Sequence, residues 1–141
     1  MMVLLIFIFF PVVDLMSIVV SYGLCMVLNY NQLHEASLIK HTVAANAGGP
    51  VKKGIPDQWL NGMGHFVKMV GSPQTNVTYR DGQTAPGVNS VLDKLVSVET
   101  KVVCSPFLPI PLPVVNVPGL NGPMTFDLTS ERPMENPDYA P

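Results

Sequence analysis

The sequence predicts an α+β protein in which a long N-terminal helix, apolar in its first half, carries a small extramembrane domain. Residues 1–28 are almost uninterruptedly apolar, Gly48-Gly49-Pro50 ends the helical pattern, and three short runs of alternating residues follow. Glycine accepts the left-handed helix cap, and proline cannot continue the helical hydrogen bonds. We therefore divide the chain into a helix over residues 1–47 and a domain over residues 48–141.

The apolar segment is long enough to cross a lipid bilayer. A helix rises about 1.5 Å per residue and the hydrocarbon core is about 30 Å thick, so roughly 20 residues suffice. A cleaved signal peptide would show a basic start, a shorter apolar segment and a small-residue cleavage site. None of these is present, and no lysine or arginine precedes Lys40. We expect a retained single-pass membrane helix rather than a signal peptide or a buried core helix.

Two features of this helix predict its packing. Pro11 has no backbone N–H, which predicts a kink near residues 7–11. Small and polar residues recur at three- and four-residue steps and form one polar stripe: Asp14, Ser17, Ser21 and Cys25. Small side chains let helices approach closely, and a carboxylate inside a bilayer is costly unless it is paired or neutral. We expect the polar stripe to contact other membrane helices; alternatively, Asp14 lies near an interface or is protonated.

The remainder of the chain is predicted to form a short helix and a few antiparallel strands. The helix is expected over residues 56–70, with one apolar face that contains Trp59, Met63, Phe66, Val67 and Val70. Strands are predicted over residues 75–80, 94–104 and 124–129, with a turn at Asp81-Gly82. Five prolines in residues 105–118 predict an extended, polyproline-like connection in a Pro-rich C-terminal region. Residues 131–141 are expected to wrap the surface.

Composition and spacing argue against several functions. The net charge is −2 and only 13% of the residues are charged, so the basic patch that nucleic acid requires is missing. A helical zinc site needs a second histidine four residues after the first, and none follows His34-Glu35 at that spacing. His41 is seven residues from His34, and His65 has no histidine near it in the sequence. We therefore interpret all three histidines as solvated or hydrogen-bonded side chains. No serine has a histidine and an acid at a recognisable spacing. We predict no enzyme, no metal and no cofactor.

The two cysteines are far apart in this scheme. Cys25 lies in the apolar helix and Cys104 in a predicted strand. A disulfide would need their Cα atoms within about 7 Å, across the expected membrane boundary. We expect both cysteines to be reduced, or Cys104 to pair with another chain.

Both ends of the chain resemble one bacterial family. The helix contains Phe10-Pro11, Tyr22-Gly23 and Asn31-Gln32-Leu33. The C-terminal part contains the valine-rich residues 96–103, then Pro106-Phe107-Leu108-Pro109 and finally Arg132-Pro133-Met134-Glu135. In these features the chain is similar to the TadE-like pseudopilins, minor pilins of the tight-adherence (Flp-type) pilus system. About residues 51–91 are unmatched. That family has acidic residues at two positions that are Leu5 and Ser21 in this chain; Ser21 directly precedes the aromatic-glycine pair. Asp14 is then expected to act as a relocated partner for a neighbour's charge.

The resemblance implies a structural role. It implies a subunit in the bacterial inner membrane, with its C-terminal domain periplasmic or extracellular and with other membrane helices or pilin-like subunits as partners in a hetero-oligomer. An alternative is an accessory structural subunit of a larger membrane complex of the energy-converting or photosynthetic type. A third hypothesis is a ligand-binding module with a pocket formed by Trp59, Phe66 and residues 106–118.

Overall fold

The structure is a computed structural model that describes residues 1–81, 94–105, 118 and 122–141. It confirms a mixed α+β architecture with a long N-terminal helix and a small domain that has a short helix and a three-stranded antiparallel sheet. The helices and strands are α1 (Met2–Leu38), α2 (His41–Ala44), α3 (Ile55–Asn61), β1 (Gln74–Asp81), β2 (Lys94–Cys104) and β3 (Met124–Pro133). Shorter turns are a π-helical Pro50–Gly54 and the 3₁₀ segments Met63–Phe66 and Pro137–Tyr139.

Helix α1 has the length and composition needed to cross a membrane, and in the described part of the chain it is the one helix that does. Only 6% of its most apolar window is buried by the rest of the molecule. A helix in the core of a soluble domain would be mostly covered, so this exposure favours contact with lipid or with other subunits. Pro11 lies inside the continuous helix, and the kink predicted there stays a prediction.

Helix α1 ends at Leu38, nine residues before the predicted end at residue 47. The Ser37 carbonyl accepts a hydrogen bond of 3.0 Å from the Glu135 N–H, and Ile39 is extended, with φ −113° and ψ 163°. A tertiary hydrogen bond thus replaces the next intrahelical one. The chain then forms the single turn α2, and the predicted helix terminator Gly48-Gly49-Pro50 follows it. Glycine is required at residue 49, because a Cβ there would lie 2.6 Å from the Val43 carbonyl oxygen.

The second helix is also shorter than predicted. Helix α3 ends at Asn61 and is followed by a 3₁₀ turn, because Gly62 leaves helical geometry with φ −109° and ψ −109°. The predicted common apolar face is therefore wrong. Trp59 and Val67 are buried, whereas three members of that face are exposed: Met63 at 50%, Phe66 at 79% and Val70 at 51%.

The sheet has the order β1-β2-β3, and both pairs are antiparallel. Strand β2 has the limits predicted for it, while β1 and β3 extend beyond theirs. Alternate residues of β2 are buried and face α1: Val96, Val98, Thr100, Val102 and Cys104. The opposite face carries cross-strand ion pairs, including Arg80 with Glu131 and Lys101 with Asp127. The sheet therefore covers α1 with one face and exposes the other.

Two hydrophobic clusters lie between α1 and the sheet. The first cluster contains Cys25, Leu28, Trp59, Val67, Val102, Cys104, Phe126 and Leu128. The second cluster lies further along α1 and contains Leu33, Ala36, Ala44, Val51, Val96, Val98 and Met134. The second half of α1 is thus part of the core of the domain.

The C-terminal residues behave differently from the prediction. Residues 131–141 do not simply wrap the surface, because residues 131–133 belong to β3, Met134 is buried in the second cluster and the Glu135 N–H caps α1. Asp81 is the last residue of β1. Its predicted turn partner Gly82 and almost all of the predicted polyproline connection lie outside the described residues.

Candidate functional site

A buried layer of polar side chains separates the two hydrophobic clusters. Its centre is Asn29 of α1, 5% exposed, whose amide nitrogen lies 2.9 Å from the Thr100 hydroxyl and 3.1 Å from the carbonyl oxygens of Val98 and Leu128. The Ser130 hydroxyl donates to the Asn29 side-chain oxygen. One amide therefore binds the helix to the two strands β2 and β3.

Gln32 extends the layer toward the first strand. The side chain of Gln32 is fully buried, and its amide donates bonds of 2.7 Å to the Val51 carbonyl and to the Thr75 hydroxyl of β1. The Thr100 hydroxyl donates to the Gln32 side-chain oxygen at 2.7 Å. Buried amides are costly unless they are bonded, so this polar layer accepts only one register of α1 on the sheet.

Sequence reasoning missed Asn29 as a core residue. One signal in the sequence could have indicated it. Asn29 lies three residues before Gln32, so the two amides share one helix face, and the apolar Leu28 and Leu33 flank them. The partner Thr100 was equally visible as a polar residue in the alternating pattern of β2. The sequence does not indicate that Asn29 and Thr100 bind each other.

The polar stripe lies on the same side of α1 as this layer. Asp14 and Cys25 are fully buried and Ser21 is 6% exposed, while Ser17 is partly covered. The single chain already covers most of the stripe, so the domain takes up much of the contact that we assigned to other helices. A role of the stripe toward other helices stays a prediction.

The opposite side of α1 carries an apolar seam that the domain leaves exposed. Its residues follow one another at alternating steps of three and four, the spacing of helices that pack in pairs. This heptad seam consists of Leu5, Phe9, Val12, Met16, Val19, Gly23, Met26 and Tyr30. Its side chains beyond glycine are 48–70% exposed, and a Cβ built at Gly23 has no neighbour within 4 Å. From Asp14 onward α1 thus has one covered and one open face, whereas residues 1–10 are exposed on all sides.

The two cysteines meet inside the first cluster, which corrects the expectation that the membrane boundary separates them. Both are free thiols, Cys25 fully buried and Cys104 5% exposed. The interaction with the Cys25 side chain lowers the pKa of Cys104, although burial opposes this shift.

Several of the remaining titratable groups have structural partners. Arg132 donates a hydrogen bond of 2.8 Å to Nδ1 of His34, and Nδ1 of His41 donates one of 2.9 Å to the Tyr139 carbonyl, as expected for hydrogen-bonded histidines. Hydrogen bonding from Arg80 lowers the pKa of the exposed Glu131, and burial raises the pKa of Tyr79. Within the described part of the chain, no three histidine, cysteine or acidic side chains are placed to hold a metal ion.

The pocket expected for a ligand-binding module does not form from its described members. The Trp59 indole is turned inward, where its Nε1 donates a hydrogen bond of 2.9 Å to the Leu24 carbonyl of α1. Phe66 is 79% exposed, and residues 106–117 lie outside the described part. Trp59 therefore anchors α3 to α1 instead of lining a cavity with Phe66.

Comparisons of the chain with models of known protein families, with curated proteins and with solved structures found no match.

Proposed function

We propose that this chain is a non-enzymatic, single-pass membrane subunit of the pilin-like type, which assembles with other subunits through the heptad seam of α1. The observation that carries the proposal is the continuity of that seam. It begins in the bare apolar part of the helix and continues to Met26 and Tyr30, which lie beside the folded domain and are 51% and 64% exposed.

Lipid accounts for only part of the exposed seam. A hydrocarbon core of about 30 Å takes up roughly 20 residues at about 1.5 Å per residue, so a span that begins at Met2 reaches Ser21. Met26 and Tyr30 lie beyond it. Apolar side chains in a regular 3-4 pattern outside the bilayer are typical of helix pairing, and an exposed glycine in that pattern lets two backbones approach closely.

The domain supports this role by its placement. It covers one side of α1 from Asp14 onward and leaves the seam on the other side, so an incoming helix meets no part of the described domain on the seam. In this proposal the subunit resides in a bacterial inner membrane, with the domain on the periplasmic or outer side. The partner is another single-pass subunit, and assembly is the activity.

Cysteine cross-linking in native membranes tests the seam. Tyr30→Cys and Met26→Cys should each give a covalent adduct with a neighbouring subunit when a short bis-maleimide is added, because the two native cysteines are buried. Asn31→Cys is the matched control, since Asn31 is exposed but lies off the seam. Adducts that are equally abundant at residues 30 and 31, or absent at both seam positions, would contradict the proposal.

A second variant tests close packing at the glycine. Gly23→Leu should lower the yield of the Tyr30→Cys adduct several-fold and leave the domain folded, since the added side chain meets nothing in its own chain. Gly48→Leu adds the same atoms in an exposed turn, 3.8 Å from the nearest side chain, and should leave the yield unchanged. Mass spectrometry of the adduct identifies the partner. Subunits of a stable energy-converting or photosynthetic complex would favour the accessory-subunit alternative.

A further inference from the structure

Cys25 and Cys104 lie on the facing surfaces of the helix and the sheet. Cys104 ends the series of inward-facing residues of β2, two residues beyond Val102. Cys25 lies one helical turn before Asn29 on α1. Both cysteines belong to the first cluster, at 0% and 5% exposure.

The polar layer fixes the register that brings the two thiols together. Thr100 is bonded to both Asn29 and Gln32, so the strand cannot slide along the helix without breaking buried hydrogen bonds. Cys104 lies four residues after Thr100 on the strand. Cys25 lies four residues before Asn29 on the helix. Both side chains lie in the same buried cluster there, close enough for each to shift the pKa of the other.

We propose that Cys25 and Cys104 are a redox pair that closes into an intramolecular disulfide, which ties α1 to the central strand of the sheet. The oxidant is a disulfide, either glutathione disulfide or the active-site disulfide of a thiol oxidase. The Cys104 thiolate attacks one sulfur of that disulfide and displaces the other as a thiolate. The Cys25 thiolate then attacks the Cys104 sulfur of this mixed disulfide and displaces the oxidant's remaining sulfur as a second thiolate. Two protons leave the cysteines, and the oxidant ends as two thiols.

Cys104 is suited to make the first attack. The thiolate is the reactive form of cysteine, and Cys104, which ends β2 and is 5% exposed, is the more accessible of the two thiols. The burial of both residues requires that the attack occur during folding or during a local opening, when α1 and β2 separate. Once the core closes, burial slows reduction of the bond, because a reductant reaches it only during the same local opening. The disulfide constrains the unfolded chain, so the oxidised protein resists heat better than the dithiol.

A redox titration of the full chain in mild detergent tests the pair. The chain is equilibrated with reduced and oxidised glutathione at a series of ratios, quenched with acid, denatured and alkylated with N-ethylmaleimide. The expected result is one transition from two alkyl groups per chain to none, together with a 25–104 linked peptide after proteolysis. Oxidation should raise the thermal midpoint, and dithiothreitol should reverse that shift.

The wild-type titration decides the question without any variant. Two alkyl groups, a glutathione adduct or an intermolecular dimer at every ratio, in a chain whose circular dichroism shows it to be folded, would overturn the proposal. Cys25→Ser and Cys104→Ser serve as controls: each has one thiol, which ends either alkylated or as a glutathione adduct, and each should give no 25–104 linked peptide and no thermal shift. The result is independent of seam-mediated assembly, because neither cysteine belongs to the heptad seam.

Discussion

At the residue scale, Asn29 shows how a single polar side chain determines packing. Its amide lies within 3.1 Å of acceptors on two strands, inside a core that is otherwise apolar on both sides. A hydrogen bond adds only about 1 kcal/mol net, but a partner left buried and unbonded costs about 1–3 kcal/mol. The polar layer therefore adds modestly to stability and strongly disfavours any other register of α1.

Replacing this amide should be costly. We expect Asn29→Leu to lower the free energy of unfolding by about 2–4 kcal/mol, because Thr100 and Ser130 lose a buried partner. Trp59 is the single tryptophan and touches α1, so its fluorescence during denaturant unfolding in detergent measures the loss. Asn31→Leu changes an exposed neighbour on the same helix and should shift stability by less than about 0.5 kcal/mol. Equal effects of the two variants would show that the layer is not specific.

Gly64 is required for a different reason, the close approach of an aromatic ring. A Cβ at this position would lie 2.7 Å from Cε3 of Trp59 and 2.8 Å from the Trp59 carbonyl oxygen. We expect Gly64→Ala to destabilise the protein by about 1–3 kcal/mol, since the backbone cannot yield as a flexible side chain can. The same unfolding assay measures it.

Gly54 provides the matched control for this prediction. Its dihedrals are helical, at φ −59° and ψ −53°, and the nearest atom to an added Cβ is 3.9 Å away. Gly54→Ala should leave stability unchanged or raise it by up to about 1 kcal/mol, because alanine reduces the entropy of the unfolded chain. If both substitutions proved neutral, the close packing of Gly64 on Trp59 would be refuted.

At the scale of elements, the end of α1 is determined by the far end of the chain. The Glu135 N–H caps the Ser37 carbonyl, and the Tyr139 carbonyl accepts from His41. Each end of a helix leaves several backbone groups without intrahelical partners. The C-terminal residues provide these partners and thereby position α2.

Removal of residues 135–141, which keeps the buried Met134, tests this capping role. We expect the amides of residues 38–44 to exchange with deuterium faster in the truncated chain, whereas amides around Asn29 in the polar layer should keep their protection. Hydrogen-exchange mass spectrometry resolves both regions in one experiment. Asp138→Ala, a change at an exposed position of the same segment, is the control and should not alter exchange. Unchanged exchange at residues 38–44 after truncation would mean that the cap does not hold α1.

The sheet divides its chemistry between its two faces. The face toward α1 supplies the apolar clusters and Thr100, and the outer face carries ion pairs such as Arg80 with Glu131. These pairs are solvent-exposed, and exposed ion pairs contribute little to stability. The helix-facing side therefore holds the domain together, while the outer side mainly keeps an exposed sheet surface polar.

At the scale of the whole molecule, α1 serves two purposes at once. Its first half is long and apolar enough for a membrane, its second half is the spine of the domain, and one exposed seam runs along both. In the proposed assembly, neighbouring subunits would meet a continuous helix surface that the described part of the domain does not interrupt. This continuity is the structural basis of the assembly role that we propose.

Local pattern alone determined several parts of this protein. The span of apolar residues predicted a membrane-length helix, and the alternation in residues 94–104 predicted β2 with its observed limits. Helical and strand periodicities are local properties that a short window of sequence contains. The mixed α+β class follows from these two signals and the turn residues between them.

Tertiary structure alone decided which face of α1 is covered, where α1 ends, and which side chains meet in the core. Asn29 contacts Thr100 and Leu128, which are 71 and 99 residues away in the sequence. Cys25 meets Cys104, and Glu135 caps Ser37. These pairings depend on how the helix docks on the sheet. No local pattern in the sequence specifies that docking, because it is set by the combined burial of apolar and hydrogen-bonding groups from distant segments.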